Sequence, residues 1–269
     1  LTRFRGMGMR GAFGLLAPLA LLASVGSALD LGDIKTRGFL KVLVAADEVP
    51  EAFSWTPGAE PGMEREMVEG FARLHKLDLQ PVPVRDWDDI IPALLRGDGD
   101  VILGINDTEA RRKQMDFTRE VMPSRHVVLN RKPDAPIHDL TALRAVKVGV
   151  PMGTTWAEAA LSAGVASRNM VDLPDMKAIF AALRARKIAA SVVPLADATL
   201  ALRSDPDLQA GMFVGPPGRA AWAVRKTDPD LRRALDEHLE ASRRTGSWSR
   251  LVVKYYGEAA LKVLDRANE

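Results

Sequence analysis

From Phe39 onward, short apolar runs alternate with stretches whose apolar residues recur every three or four positions, a pattern that predicts α/β units with a mostly parallel sheet. Phe39 to Val44 reads as a strand. Met63, Met67, Phe71 and Leu74 follow at helical spacing behind the breaker Pro61-Gly62. Leu79 to Val84 is a second strand, and because Pro81 and Pro83 both lack an N–H on one side, it belongs at a sheet edge. Asp88 is placed to cap a helix through Ile90, Ile91 and Leu94 that stops near Gly97. Asp100-Val101-Ile102-Leu103-Gly104 reads as a third strand covered on both faces.

A second series starts at Lys147-Val148-Gly149-Val150, with helices expected near Thr155–Ser162, 175–186 and 195–203, and a strand at Ala190 to Val193. His126 to Leu129, followed by the turn-rich Arg131-Lys132-Pro133-Asp134, separates the two series and reads as a crossing between lobes. Further on, Ala220 to Val224 is strand-like. Asp228 as cap and Pro229 at the first helical position then introduce Leu231, Leu235 and Leu239 on one helix face. Trp248, Leu251, Val252 and Tyr255 form another apolar stripe that ends at Gly257.

Composition narrows the function classes. Of 269 residues, 47% are hydrophobic and 27% charged, so disordered and fibrous readings fall away. The chain has no cysteine, which excludes disulfides, thiolate-held metals and thiol catalysis. Residues 1–28 carry Arg3, Arg5 and Arg10 without an acid, then the apolar run Ala12 to Ala23, then Gly26-Ser27-Ala28. That order is the signature of a cleaved secretory signal, and the run, interrupted by Pro18, is short for a membrane span. Leaving those three arginines out turns the formal +2 into a slightly negative balance, so nothing electrostatic points to nucleic acid.

Familiar chemical motifs fail on context. Gly6-Met7-Gly8-Met9-Arg10-Gly11 fits a dinucleotide fingerprint, but no strand precedes it. His75, His126, His138 and His238 are scattered, and the acids at 86–89 and 98–100 lack the spacing of a calcium loop. No catalytic residue, metal or cofactor is expected.

Four segments in order carry a resemblance. They are Ala45-Ala46-Asp47-Glu48 with Phe53; Gly62-Met63-Glu64-Arg65-Glu66-Met67; Trp87 through Leu94; and Asp100 to Gly104 leading through Thr108-Glu109-Ala110-Arg111 to Asp116-Phe117-Thr118. The second half adds Val148-Gly149-Val150 with Gly153-Thr154-Thr155, then Gly246-Ser247-Trp248 and Lys254-Tyr255-Tyr256-Gly257. Over about residues 35–257 the chain resembles the family 3 extracellular solute-binding proteins of ABC transporters. The resemblance implies the α/β, two-lobed periplasmic binding protein fold (type II). Lobe one would hold about 35–127 plus 224–269 and lobe two about 132–220, with the ligand in the cleft between them. It also implies a periplasmic, monomeric protein that serves an inner-membrane permease and binds a small carboxylate such as an amino acid or related organic acid.

On the same resemblance, Arg111 matches the arginine that takes the ligand's carboxylate, with Asn106 nearby. Thr154 and Thr155 match the lobe-two loop that completes the carboxylate shell. Trp87 and Phe53 supply apolar walls, and Asp47 is a candidate partner for an ammonium. The chain departs from the pattern at Pro194, which stands where the family places the acid that receives an α-amino group, so α-amino recognition is expected to be weakened. Cyclohexadienyl-dehydratase-like enzymes and non-transport sensory or accessory domains share the resemblance and remain the alternatives, with Glu48 the formal acid–base candidate of an enzyme.

Overall fold

The computed structural model describes residues 30–45, 53–85 and 87–267. The proposed signal sequence, Asp47 and Glu48 lie outside them. Among the described residues no helix is long and apolar enough to cross a membrane.

Among the described residues, ten strands form two five-stranded sheets. Sheet one has β1 (Phe39–Ala45), β2 (Asp78–Val84), β3 (Val101–Asn106), β4 (Met115–Pro123) and β10 (Arg219–Arg225), in the order β2-β1-β3-β10-β4. Sheet two has β5 (His126–Arg131), β6 (Val148–Val150), β7 (Met170–Asp172), β8 (Ala190–Pro194) and β9 (Leu208–Val214), in the order β7-β6-β8-β5-β9. The helices α1 (Leu31–Arg37), α2 (Met63–His75), α3 (Ile90–Arg96) and α4 (Glu109–Arg112) belong to the first half of the chain. The second half adds α5 (Leu140–Arg144), α6 (Thr155–Ser162), α7 (Met176–Arg184), α8 (Leu195–Ser204), α9 (Pro229–Arg244), α10 (Ser247–Tyr256) and α11 (Glu258–Ala267). This is the α/β architecture that the alternation predicts, in the two lobes that the resemblance implies.

Several details follow the sequence pattern and several correct it. β2, with its two prolines, is an edge strand, since nothing in the ladder requires the missing N–H groups. Leu74, assigned to the apolar stripe of α2, is instead 69% exposed. Asp88, expected to cap α3, lies instead inside a 3-10 turn at Trp87–Asp89; the cap position falls to Asp89, whose carboxylate makes no cap and pairs with Arg96 at 3.3 Å. Asp228 gives no side-chain cap to α9; its carboxylate meets Arg225 at 2.7 Å, and Asp30 caps α9 from the start of the chain through the N–H groups of Asp230 and Leu231. His126–Leu129 is no crossing: it lies inside β5, paired on both sides in sheet two. The chain changes sheet at 124–125 and again at 215–218. There the two passages touch, with the Ser124 N–H donating to the Gly218 carbonyl at 2.9 Å.

A buried carboxyl organises the centre of lobe one. β10 carries a bulge at Trp222, which breaks its register with both β3 and β4, and the backbone N–H so freed donates to Thr118 Oγ1 at 3.0 Å. The fully buried indole donates to Glu64 Oε2 at 2.9 Å. Glu64 sits in the first turn of α2 and also accepts from the Gly104 backbone. Gly104 has φ +58°, and a side chain there would collide with the Glu64 carboxyl. Burial with only neutral donors pushes the Glu64 pKa up to about 7, and those hydrogen bonds only partly oppose the rise. The folded state therefore binds a proton that the unfolded chain releases from about 4.5 upward, so Glu64 supports stability at low pH and withdraws that support as pH rises through about 7. In denaturant titrations at pH 4–8, the wild type should lose on the order of 3 kcal/mol relative to Glu64→Gln across this window. Parallel curves would refute the proton uptake.

Candidate functional site

Strand direction brings the loops that carry the expected residues to common edges. β1, β2 and β3 are parallel, and β4 runs with them because both β3 and β4 pair antiparallel with β10. The carboxyl ends Ala45, Val84, Asn106 and Pro123 therefore share one edge of sheet one. In sheet two, β6, β7 and β8 are parallel, and β5 opposes both β8 and β9. Val150, Pro194 and Val214 thus share an edge with the start of β5 at His126. The passages 124–125 and 215–218 join these two edges, so the loops beyond them flank the same inter-lobe region, as ligand loops do in open α/β sheets.

At the sheet-one edge, three arginines crowd one turn with different partners. Asp107, its side chain fully buried, accepts from Arg112 at 2.5 and 2.9 Å and from Arg219 Nε at 2.6 Å. Burial works to raise the pKa of Asp107, but the two guanidinium groups outweigh it and hold the acid below the usual carboxylate range. Arg111, half-buried at the same turn, makes no ion pair among the described residues. Its Nη1 donates to the Asn106 carbonyl at 2.8 Å, and burial lowers its pKa. A fork with one neutral contact keeps donors in hand for a carboxylate. Asn106 in turn accepts from Ser124 Oγ at 2.8 Å, which ties the end of β3 to the inter-lobe passage. Trp87 is 46% exposed just beyond β2, so it is no core residue. Phe53 is half-buried with its ring stacked on Trp55 at 5.8 Å, and Trp55 carries Arg65 over its face.

At the sheet-two edge, Thr154 caps α6. Its Oγ1 donates to the Pro151 carbonyl at 2.7 Å and accepts from the Trp156 N–H at 3.3 Å. Thr155 is the first helical residue and is exposed. Pro194 ends β8 and leads into α8. Asp197, the first acid after Pro194, lines the groove between α7 and α8 with Met176, Phe180 and Arg203. Those helices pack on the face of sheet two that carries Val127, Leu129 and Val193, opposite the face that receives α6.

Residues 40–258 match the sequence profile of the bacterial extracellular solute-binding proteins, family 3. The chain belongs to this family. Among relatives, it is 25% identical over 264 residues to the L-cystine-binding protein TcyJ of Escherichia coli, covering 95% of this chain and 98% of that one. It is 27% identical over 228 residues to the membrane-bound lytic murein transglycosylase F of Desulfosudis oleivorans, covering 82% of this chain and 50% of that protein. The chain spans about half the length of such transglycosylase relatives. In structure it resembles an ancestral cationic amino acid solute-binding protein, with a TM-score of 0.72 and 26% identity over 84% of this chain and 98% of the other.

Within this family 3 chain, sequence reasoning passed over Asp107, Ser124 and Glu64. Glu64 had a signal, since an acid four residues before Val68 and seven before Phe71 sits on the buried side of α2. Asp107 and Ser124 had none, because the pairings of Asp107 with Arg219 and of Ser124 with Asn106 join separate elements of the fold. Asp107→Ala should cost about 2 kcal/mol in urea denaturation, less than a fully buried pair because both guanidinium groups face water. It should also weaken any binding that depends on the Arg111 turn. A loss below about 0.5 kcal/mol would show that the turn does not need its acid.

Proposed function

We propose that this family 3 protein captures a small carboxylate-bearing solute, an amino acid or related organic acid, between its lobes and presents it to an ABC permease after export to the periplasm. The observation that carries this reading is Arg111: a half-buried guanidinium at the inter-lobe edge, free of any described acid, beside two arginines that share the Asp107 carboxylate. Thr154 and Thr155 at the start of α6 would complete the carboxylate shell from lobe two through a hydroxyl and helix N–H groups. Trp87 and Phe53 would wall the ligand. Closure would turn on the two passages at 124–125 and 215–218.

The reading is of a binding protein that works without a cofactor, as a monomer. A dehydratase would need an acid or base beside the ligand. Glu64 is poised near neutrality, but it is walled in by Trp222 and Gly104 inside lobe one and cannot reach a solute there. The transglycosylase F relatives favour a second reading, in which the same cleft serves as an accessory binding domain without a permease.

Thermal-shift screening of the proteinogenic amino acids and simple organic acids, on wild type and Arg111→Ala, tests the anchor. At least one carboxylate should raise the melting temperature of the wild type. Arg111→Ala should abolish that response, a loss of about 2–5 kcal/mol in binding, while its own unfolding midpoint moves little. An undiminished response in the variant would remove Arg111 from the site.

A further inference from the structure

His126 stands beside Pro194, the position at which the sequence resemblance expects an acid. In the antiparallel pairing of β5 and β8, His126 lies directly opposite Pro194, and directly opposed residues project from the same face of a sheet. Alternation along β5 confirms the face: Val128 packs with α6, whereas Val127 and Leu129 pack with α7 and α8. The imidazole thus stands on the α6 side, at the edge where the Pro194 side chain offers no acceptor. It lines a cavity of about 450 Å3 together with Thr155, Ala159, Met212, Val214 and Pro216. Its Nε2 is buried and has no hydrogen-bond partner among the described residues. Burial lowers its pKa, so the ring is held neutral with one nitrogen lone pair available. Of the acids, Glu158 lines the same cavity from the exposed side of α6, and Asp197 lies on the other face of the sheet.

We propose that this cavity is the lobe-two subsite of the ligand and that His126 is its neutral acceptor, so that the bound carboxylate carries an uncharged donor such as a 2-hydroxyl, with an apolar side chain, in preference to an α-ammonium. This rests on the carboxylate-binding reading above and narrows its substrate class. A neutral acceptor satisfies the single O–H donor of a hydroxyl, but it leaves an ammonium without countercharge. Engaging Nε2, which is covered in this conformation, takes a turn of the ring about its Cβ–Cγ bond. The rest of the lining is mainly aliphatic and suits a branched or short alkyl group.

Matched pairs that differ only at the 2-position test this: alanine against lactate, leucine against 2-hydroxyisocaproate, and phenylalanine against phenyllactate. Each is measured by calorimetry on wild type, His126→Phe, His126→Gln and Arg111→Ala, with folding checked by circular dichroism. The hydroxy acid of at least one pair should bind the wild type tenfold or more tightly than its amino partner. His126→Phe should erase that preference, and His126→Gln, which keeps an acceptor, should retain most of it. Arg111→Ala should lose both members. Tighter binding of the amino partners, or a preference unchanged in His126→Phe, would overturn the role of His126 while leaving the Arg111 anchor standing. Binding by none of the six compounds would overturn the substrate class, and Arg111-independent binding would overturn the carboxylate reading itself.

Discussion

The close approach of two backbone segments at Ser124 and Gly218 is the constraint on which the arrangement of the lobes depends. A Cβ on residue 218 would stand 2.6 Å from the Ser124 carbonyl oxygen, far inside van der Waals contact, so the passage requires glycine there. With that contact made, β4 runs out of sheet one and β5 into sheet two beside β9 and β10 running the other way. Both sheets then turn their carboxyl edges toward the same passages. Because Ser124 Oγ also holds Asn106, whose carbonyl holds Arg111, the passage and the arginine turn form one hydrogen-bonded chain.

Much of this was legible along the chain because it is local. Apolar runs and helical spacing gave β1, β3, α2, α6 and α9, and the prolines of β2 announced an edge. β4 was not legible: Arg119 and Glu120 interrupt its apolar run, and its ladder with β10 is broken by bulges, so neither clean alternation nor a continuous run survives. β5 reads as a connection because it stands between the two series with a turn-rich stretch after it, and nothing local shows that it pairs on both sides. The same limit governs the site. Thr154 caps its own helix and so declares itself, whereas the unpaired state of Arg111 depends on Asp107 taking its neighbours, one of which, Arg219, lies 112 positions further along the chain.

The ledger of buried charge in lobe one sharpens that point. Asp100 is buried against Arg37 and lies 3.6 Å from Arg225, Asp228 takes Arg225 at 2.7 Å, and Asp107 takes two arginines. Each of these acids has a cation because a carboxylate cannot be taken out of water alone. Glu64 is the exception, and it obeys the same rule by another route: meeting only an indole and a backbone N–H, it holds a proton toward neutrality and so avoids a bare charge. Among the arginines, Arg112 and Arg219 answer an acid that the fold has buried for its own stability. Arg111 answers none that is described, yet it is half-buried and gives up water for one carbonyl. An arrangement that stabilised only the fold would gain nothing from desolvating a guanidinium so incompletely, whereas one that must receive an anion from outside needs a cation that is positioned, partly dehydrated and not yet paired.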